Sequence, residues 1–203
     1  MTTYVQLRTD IADWMAREDL TSKIPTFVDL AEAAIRRDVR VRDMEASTDL
    51  TLSAQSVSLP TDFIEARRLY LDNTSSRELD YLTPERFYDS AVYALSGNPR
   101  AYTIEGNNII FAPAPSGSPT AKLLYLSAYD ALSGDADTNW IMTNAYDVYL
   151  FGSLFHAAVY TEDDSKAQKY GELYRVSVRE INKQDNLSRF SGSHLIRTGK
   201  TTP

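Results

Sequence analysis

Cysteine is absent from the 203 residues, which excludes disulfide staples, thiolate zinc sites, iron–sulfur clusters and a cysteine nucleophile. Histidine occurs only twice, as His156 and His194, and neither has the i, i+4 partner of a helical zinc site. His156 falls on an apolar helical face and reads as a packed core residue, His194 as a surface one. The sequence has no Gly-x-Ser-x-Gly elbow, no phosphate-cradling glycine loop and no dinucleotide glycine fingerprint. Long apolar runs are missing too. Residues 148–160 make up only about half of the roughly 20 that a membrane span needs, so they read as a buried helix and no membrane anchor is expected. Arg8, Asp10 and Asp13 interrupt any secretory signal, and synthesis in a cytoplasm is the expectation. No enzyme activity, cofactor or metal follows from what remains. Residues 135–139, Asp-Ala-Asp-Thr-Asn, imitate the start of a calcium loop, but Trp140 stands where the sharp turn wants glycine and Tyr146 where a bidentate carboxylate is required. Turn and helix-cap chemistry explains these side chains better.

What is present is an ordinary globular composition, 43% hydrophobic and 24% charged. The net charge of −7 is unevenly spread. Residues 187–203 carry Arg189, Arg197 and Lys200 and no acid, leaving 18 basic against 28 acidic side chains, a charge of −10, on residues 1–186. An acidic body argues against wrapping nucleic acid, which needs a basic groove. A basic, acid-free tail suits docking on another protein.

Periodicity divides the chain. Leu7, Ile11, Trp14 and Met15, then Phe27, Leu30, Ala31, Ala34 and Ile35, recur at helical spacing, with Ser22 as a cap and Pro25 in the first turn. From about Ser47 the period becomes two, and Gly106-Asn107 between apolar runs predicts a hairpin. Thr83-Pro84-Glu85 opens a short helix expected to reach about Leu95. Two longer helices, 143–160 and 163–186, are separated by residues 161–164, which supply the hydroxyl and acid of a cap, and the second places Ala167, Tyr170, Tyr174, Val178 and Ile181 along one stripe. The expected fold is α+β and mainly helical: an antiparallel helical bundle (1–45 and 135–186), interrupted by a β-rich insertion with a short helix (46–134), ending in an extended arm (187–203). Arg36, Arg37, Arg40 and Arg42, interleaved with Asp38 and Asp43, suggest pairing within the helix or between subunits rather than nucleic-acid contact. Most of the 13 tyrosines, among them Tyr70, Tyr81, Tyr125, Tyr146 and Tyr170, sit at positions expected to be core or interface.

Several segments together resemble phage head-to-tail adaptor proteins of the tail tubular A and tail accessory type. They are Leu59-Pro60-Thr61-Asp62-Phe63 before Arg67-Arg68-Leu69-Tyr70, then Tyr81-Leu82-Thr83-Pro84-Glu85, and Tyr102 through Asn108. Asp147-Val148-Tyr149-Leu150 and the acidic turn at 162–164 complete the set. The resemblance implies a structural protein of the virion neck, made in the host cytoplasm and arranged as a ring of twelve copies beneath the portal. It also implies a central channel through which double-stranded DNA passes without specific contact, and a platform for a tail nozzle or tail tube protein. Expected partners are therefore portal, neighbouring adaptor subunits and that tail protein. An acidic wall fits a conduit, because it repels phosphate and lets a duplex slide. The portal-docking residues would be Arg189, Phe190, His194, Leu195, Ile196 and Arg197 of the arm, mobile in the free subunit; the subunit contacts would be Arg36, Arg37, Arg40 and Arg42. A small-ligand or carbohydrate-binding module using the tyrosines is the alternative reading.

Overall fold

In chain order the elements are α1 (Tyr4–Met15), α2 (Ile24–Asp38), β1 (Glu45–Thr51), β2 (Ser56–Ser58), β3 (Phe63–Leu71), β4 (Asp80–Tyr81), α3 (Pro84–Tyr88) and β5 (Ser96–Gly97). There follow β6 (Ala101–Glu105), β7 (Asn108–Ala112), β8 (Ala114–Pro115), β9 (Thr120–Ser127), α4 (Trp140–Asn144), α5 (Tyr146–Tyr160) and α6 (Asp164–Phe190). The computed structural model describes residues 2–72, 78–90 and 95–190, with side chains as far as 185. At 46% helix and 25% strand, the protein is α+β, as its two periodicities predict. It divides into a helical unit, residues 1–43 and 129–203, and a β unit, residues 44–128.

The helical unit is organised by α5, which touches α1, α2, α4 and α6. Its sequence is apolar nearly all round, the pattern of a helix with neighbours on every side. Val148, Tyr149, Leu154 and Ala157 are buried against Leu7, Ile11, Phe27, Val28, Ala31 and Ile35 of the first two helices. Small residues allow the close approach, since Gly152 faces Ala31 and Tyr174, and Gly171 faces Phe155. Tyr170, Tyr174, Val178 and Ile181 are all buried along the stripe read from the sequence.

Helix ends are satisfied by means the sequence only partly discloses. The Tyr4 and Val5 amides of α1 donate to the carbonyls of Asp137 and Asp135, at 2.9 and 3.1 Å. Asp137 Oδ2 in turn accepts from the Ser133 and Gly134 amides, and Asn139 Oδ1 caps α4 by accepting from Met142 N at 3.0 Å. Of the calcium-like stretch, Asp137 thus serves a turn and Asn139 a cap, while the Asp135 carboxylate pairs with Arg8. Asp163 caps α6 from the Lys166 amide at 3.0 Å, as the acidic turn predicts. Ser22 is not a cap. It lies in a 3-10 turn, Thr21–Lys23, that runs straight into α2, so its hydroxyl has no helix start to serve. Thr83 stands at the N-cap of α3 without a side-chain bond, and that helix ends at Tyr88, short of the expected Leu95. The last helix passes the expected end at Asn186 and reaches Phe190, because Asn186 to Phe190 contains neither glycine nor proline.

In the β unit, a three-stranded sheet has the order β1–β9–β3 and a four-stranded one the order β2–β7–β6–β4. Both contribute to one core, where Leu50, Leu69, Leu71, Leu123 and Tyr125 meet Tyr102, Ile109 and Phe111. Each fully buried side chain there contributes about 1.5–3 kcal/mol. The predicted hairpin joins β6 to β7 with Gly106 at φ 57°, a conformation that costs glycine little. In the three-stranded sheet β1 and β3 are both antiparallel to β9 and hence parallel to each other. Ser47 and Arg68 lie opposite Leu124 from its two sides, and Glu45 and Glu65 lie opposite Leu126.

Candidate functional site

The arginine cluster begins at the C-terminal end of α2. Arg36 and Arg37 occupy its last turn, where the helix dipole favours cations, and both are exposed. Arg40 is half-buried and structural. Its Nη1 donates to the Arg36 carbonyl at 2.8 Å and the Val39 carbonyl at 2.6 Å, and its backbone amide donates to Asn182 Oδ1 at 2.9 Å. Arg42 is exposed on the 3-10 turn Arg42–Met44.

The acids interleaved with these arginines are engaged elsewhere. Tyr174 donates its hydroxyl to Asp38 Oδ2 at 3.0 Å, and Tyr129 reaches Asp43 at 3.5 Å. Among the described residues, Arg36, Arg37 and Arg42 form no ion pair. The sequence suggests charge pairing along the helix; the fold instead assigns the carboxylates to tyrosines and leaves the guanidinium groups to solvent.

Tyrosine–carboxylate pairing recurs through the helical unit. Tyr146 donates to Asp10 at 2.5 Å, and Tyr149 reaches Glu32 Oε1 at 3.2 Å while accepting from Asn139 Nδ2 at 2.7 Å. Glu32 also accepts from the Leu132 amide at 2.9 Å, which ties residues 129–134 to the helical unit rather than to the insertion. Burial raises the Glu32 carboxyl above its usual range, against the opposing pull of those two hydrogen bonds. Burial, then the neighbouring carboxylate, raises the Tyr129 and Tyr174 hydroxyls well above the ordinary phenol value, and with it Tyr146 and Tyr149. These pairs join residues 86 to 136 positions apart, so no local pattern announces them.

His156 is half-buried on α5 beside the Phe155 ring, and burial, then Arg37, lowers its pKa. No hydrogen bond joins it to a hydroxyl or carboxylate among the described residues, so no nucleophile–base pair forms around it. Among the described residues no group of three or more acidic or histidine side chains gathers as a metal site would require, and no helix is long and apolar enough to cross a membrane. A pocket of about 140 Å³ lies between the ends of α1, α5 and α6, with Trp14, Leu154, Ala158 and Tyr170 in its lining. It is well below the roughly 300 Å³ at which ligand pockets begin. Trp14, on the apolar face of its helical repeat, is 51% exposed on the pocket rim, and Leu30, on that of α2, is 46% exposed; Tyr81, read as core or interface, is 54% exposed.

What the helical unit presents, then, is surface for contact: unpaired arginines and exposed aromatic and aliphatic side chains. A model of the SU10 adaptor protein family matches residues 2–197. The chain belongs to that family. The resemblance read from the sequence is borne out, and the protein has the structural role of a phage adaptor. No curated protein matches it. Of the adaptor's expected arm residues, Arg189 and Phe190 are the last two positions of α6, while His194, Leu195, Ile196 and Arg197 lie outside the described residues.

Proposed function

We propose that this adaptor is the neck component that joins head to tail: a ring, of twelve copies, beneath the portal. It extends the DNA channel and offers a platform to a tail nozzle or tail tube protein in the virion. In this reading the two units are an antiparallel helical bundle and its β insertion. Residues 187–203 are the portal-docking arm, with Phe190, Leu195 and Ile196 as apolar anchors among Arg189, His194 and Arg197. The family match over residues 2–197 carries the reading. The arm supports it, being basic and free of acids on an otherwise acidic chain. One short arm binds weakly after the cost of ordering it, about 1–2 kcal/mol per residue, and a ring of arms holds by multivalency.

Removing residues 191–203 is expected to leave the described body folded and to abolish co-purification with portal. A truncated chain that still decorates portal particles assigns docking to another surface. The unpaired arginines supply a second test. Arg36→Glu with Arg37→Glu should cost the free subunit about 1 kcal/mol or less per site, the scale of a helix-end charge. Ring formation should be lost. Native mass measurement of the assembled ring checks this, and full assembly by the double variant removes these residues from the interface.

A further inference from the structure

The end of the helical unit where α1, α5 and α6 meet is apolar at its centre and acidic around it. Trp14, Val159 and Tyr160 are each more than half exposed there, beside the cavity of about 140 Å³, a size that one ring or one branched side chain fills. The cations of the cavity lining are already matched, Arg17 by Asp19 at 2.6 Å and Lys166 by Asp163 at 3.3 Å. Asp13 and Glu18 adjoin Trp14 and Arg17 in the chain, Glu162 and Asp164 adjoin Asp163, and all four are exposed. None of these four carboxylates forms an ion pair or a side-chain hydrogen bond among the described residues. Two cations without an ion pair, Lys23 and Lys169, share this end with them, the second lying over the Tyr170 ring.

The unpaired arginines lie at the other end of the same helix pair. α2 runs antiparallel to α5, since Phe27 meets Tyr160, Ala31 meets Gly152 and Glu32 meets Tyr149. Arg36 and Arg37 are therefore about 15 Å along the axis from Phe27, with Arg42 on the turn beyond. Salt screens exposed charges over about 8 Å, so the two sets do not neutralise each other within one copy. Leu30, exposed two helical turns before Arg37, shares its face of α2. A partner for the acidic end has to bring free cations together with an apolar side chain, and this face of α2 carries both.

We infer that the helical units of neighbouring copies meet head to tail: the α2 face with Leu30, Arg36 and Arg37 of one copy docks on the Trp14 end of the next, its guanidinium groups facing Asp13, Glu18, Glu162 and Asp164. The occupant is a second copy of this chain. The inference rests on the ring reading above and adds to it the surface that the arginines meet. Two different surfaces make a heterologous contact, which repeats from copy to copy until a ring closes. Opposite charges at the two surfaces favour that order, because arginine end on arginine end, or acidic end on acidic end, sets like charges together.

A charge swap in the full chain, co-expressed with portal and weighed by native mass, tests the contact. Glu18 and Glu162 lie outside the helices, so E18K with E162K reverses the acidic end without touching a helix or the Asp163 cap. That pair alone should lose the ring, as should R36E with R37E, and all four substitutions in one chain should restore it. Rings from E18K with E162K as abundant as the parent's take these carboxylates out of the interface and overturn the proposal, whatever R36E with R37E does. Loss from both pairs without recovery in the fourfold variant, each folded by far-ultraviolet circular dichroism, means that the two surfaces do not meet. If a reversed pair fails to fold, E18Q with E162Q decides: a reduced ring fraction supports the contact and an unchanged one overturns it. A parent chain that stays monomeric beside portal, or stops at a dimer, overturns the ring and this contact with it.

Discussion

Raising the pH above 10 is expected to unfold the helical unit within about two pH units. Tyr129, Tyr146, Tyr149 and Tyr174 all hold their protons in the folded state well above the ordinary phenol value, by burial first and through Asp43, Asp10, Glu32 and Asp38 next. In the unfolded chain the same groups ionise near pH 10. A pKa raised by folding contributes stability that is fully present below the unfolded value and is lost as pH rises towards the folded one. Each such group costs up to about 1.4 kcal/mol per pH unit across that window, so four cost up to about 5 kcal/mol per unit. Against a typical stability of about 5–15 kcal/mol, that drives a cooperative transition. Far-ultraviolet circular dichroism and tyrosinate absorbance, followed together against pH, should show tyrosine ionisation lagging and then rising with loss of helix. Four tyrosines titrating near pH 10 in an intact helical unit would show that these hydroxyls are solvated.

The same pairs mark where sequence reading stops. Local patterns disclosed local structure: the Gly106 turn, the α6 stripe and the Asp163 cap each depend on residues within a few positions. Periodicity also placed Trp14 and Leu30 on core faces, yet both are exposed. A helical repeat selects a face without saying how far along the helix a neighbour covers it. The arginine cluster was visible, but its freedom was not, because whether Asp38 and Asp43 neutralise it depends on Tyr174 and Tyr129, 136 and 86 residues away. Likewise the period of two was legible around β1, whereas its place at the end of the β1–β9–β3 order follows from pairing with a strand about 75 residues further along the chain.

Gly152→Leu is expected to destabilise the helical unit by about 3 kcal/mol or more, the upper range for overpacking. A Cβ at this position would lie 3.1 Å from the Ala31 Cβ and 3.3 Å from the Tyr174 ring, already closer than ordinary contact. Neither neighbour yields easily. The Ala31 methyl is fixed to the backbone of α2, and the Tyr174 ring is held at its far end by Asp38. The remaining carbons of leucine would have to separate α2 and α6 from α5, breaking the Tyr174–Asp38 contact beside the arginines as well as the core. Gly152→Ala should come out near neutral, because the crowding of one methyl is offset by about 1 kcal/mol of helix propensity. Gly171→Ala should be tolerated better still: its obstacle is the half-buried Phe155 ring at 3.2 Å, a side chain with room to turn. Urea unfolding at constant m-value measures all three. A Gly152→Leu protein within 1 kcal/mol of the parent would mean that α2 and α5 are not in the close contact that Ala31 and Gly152 define.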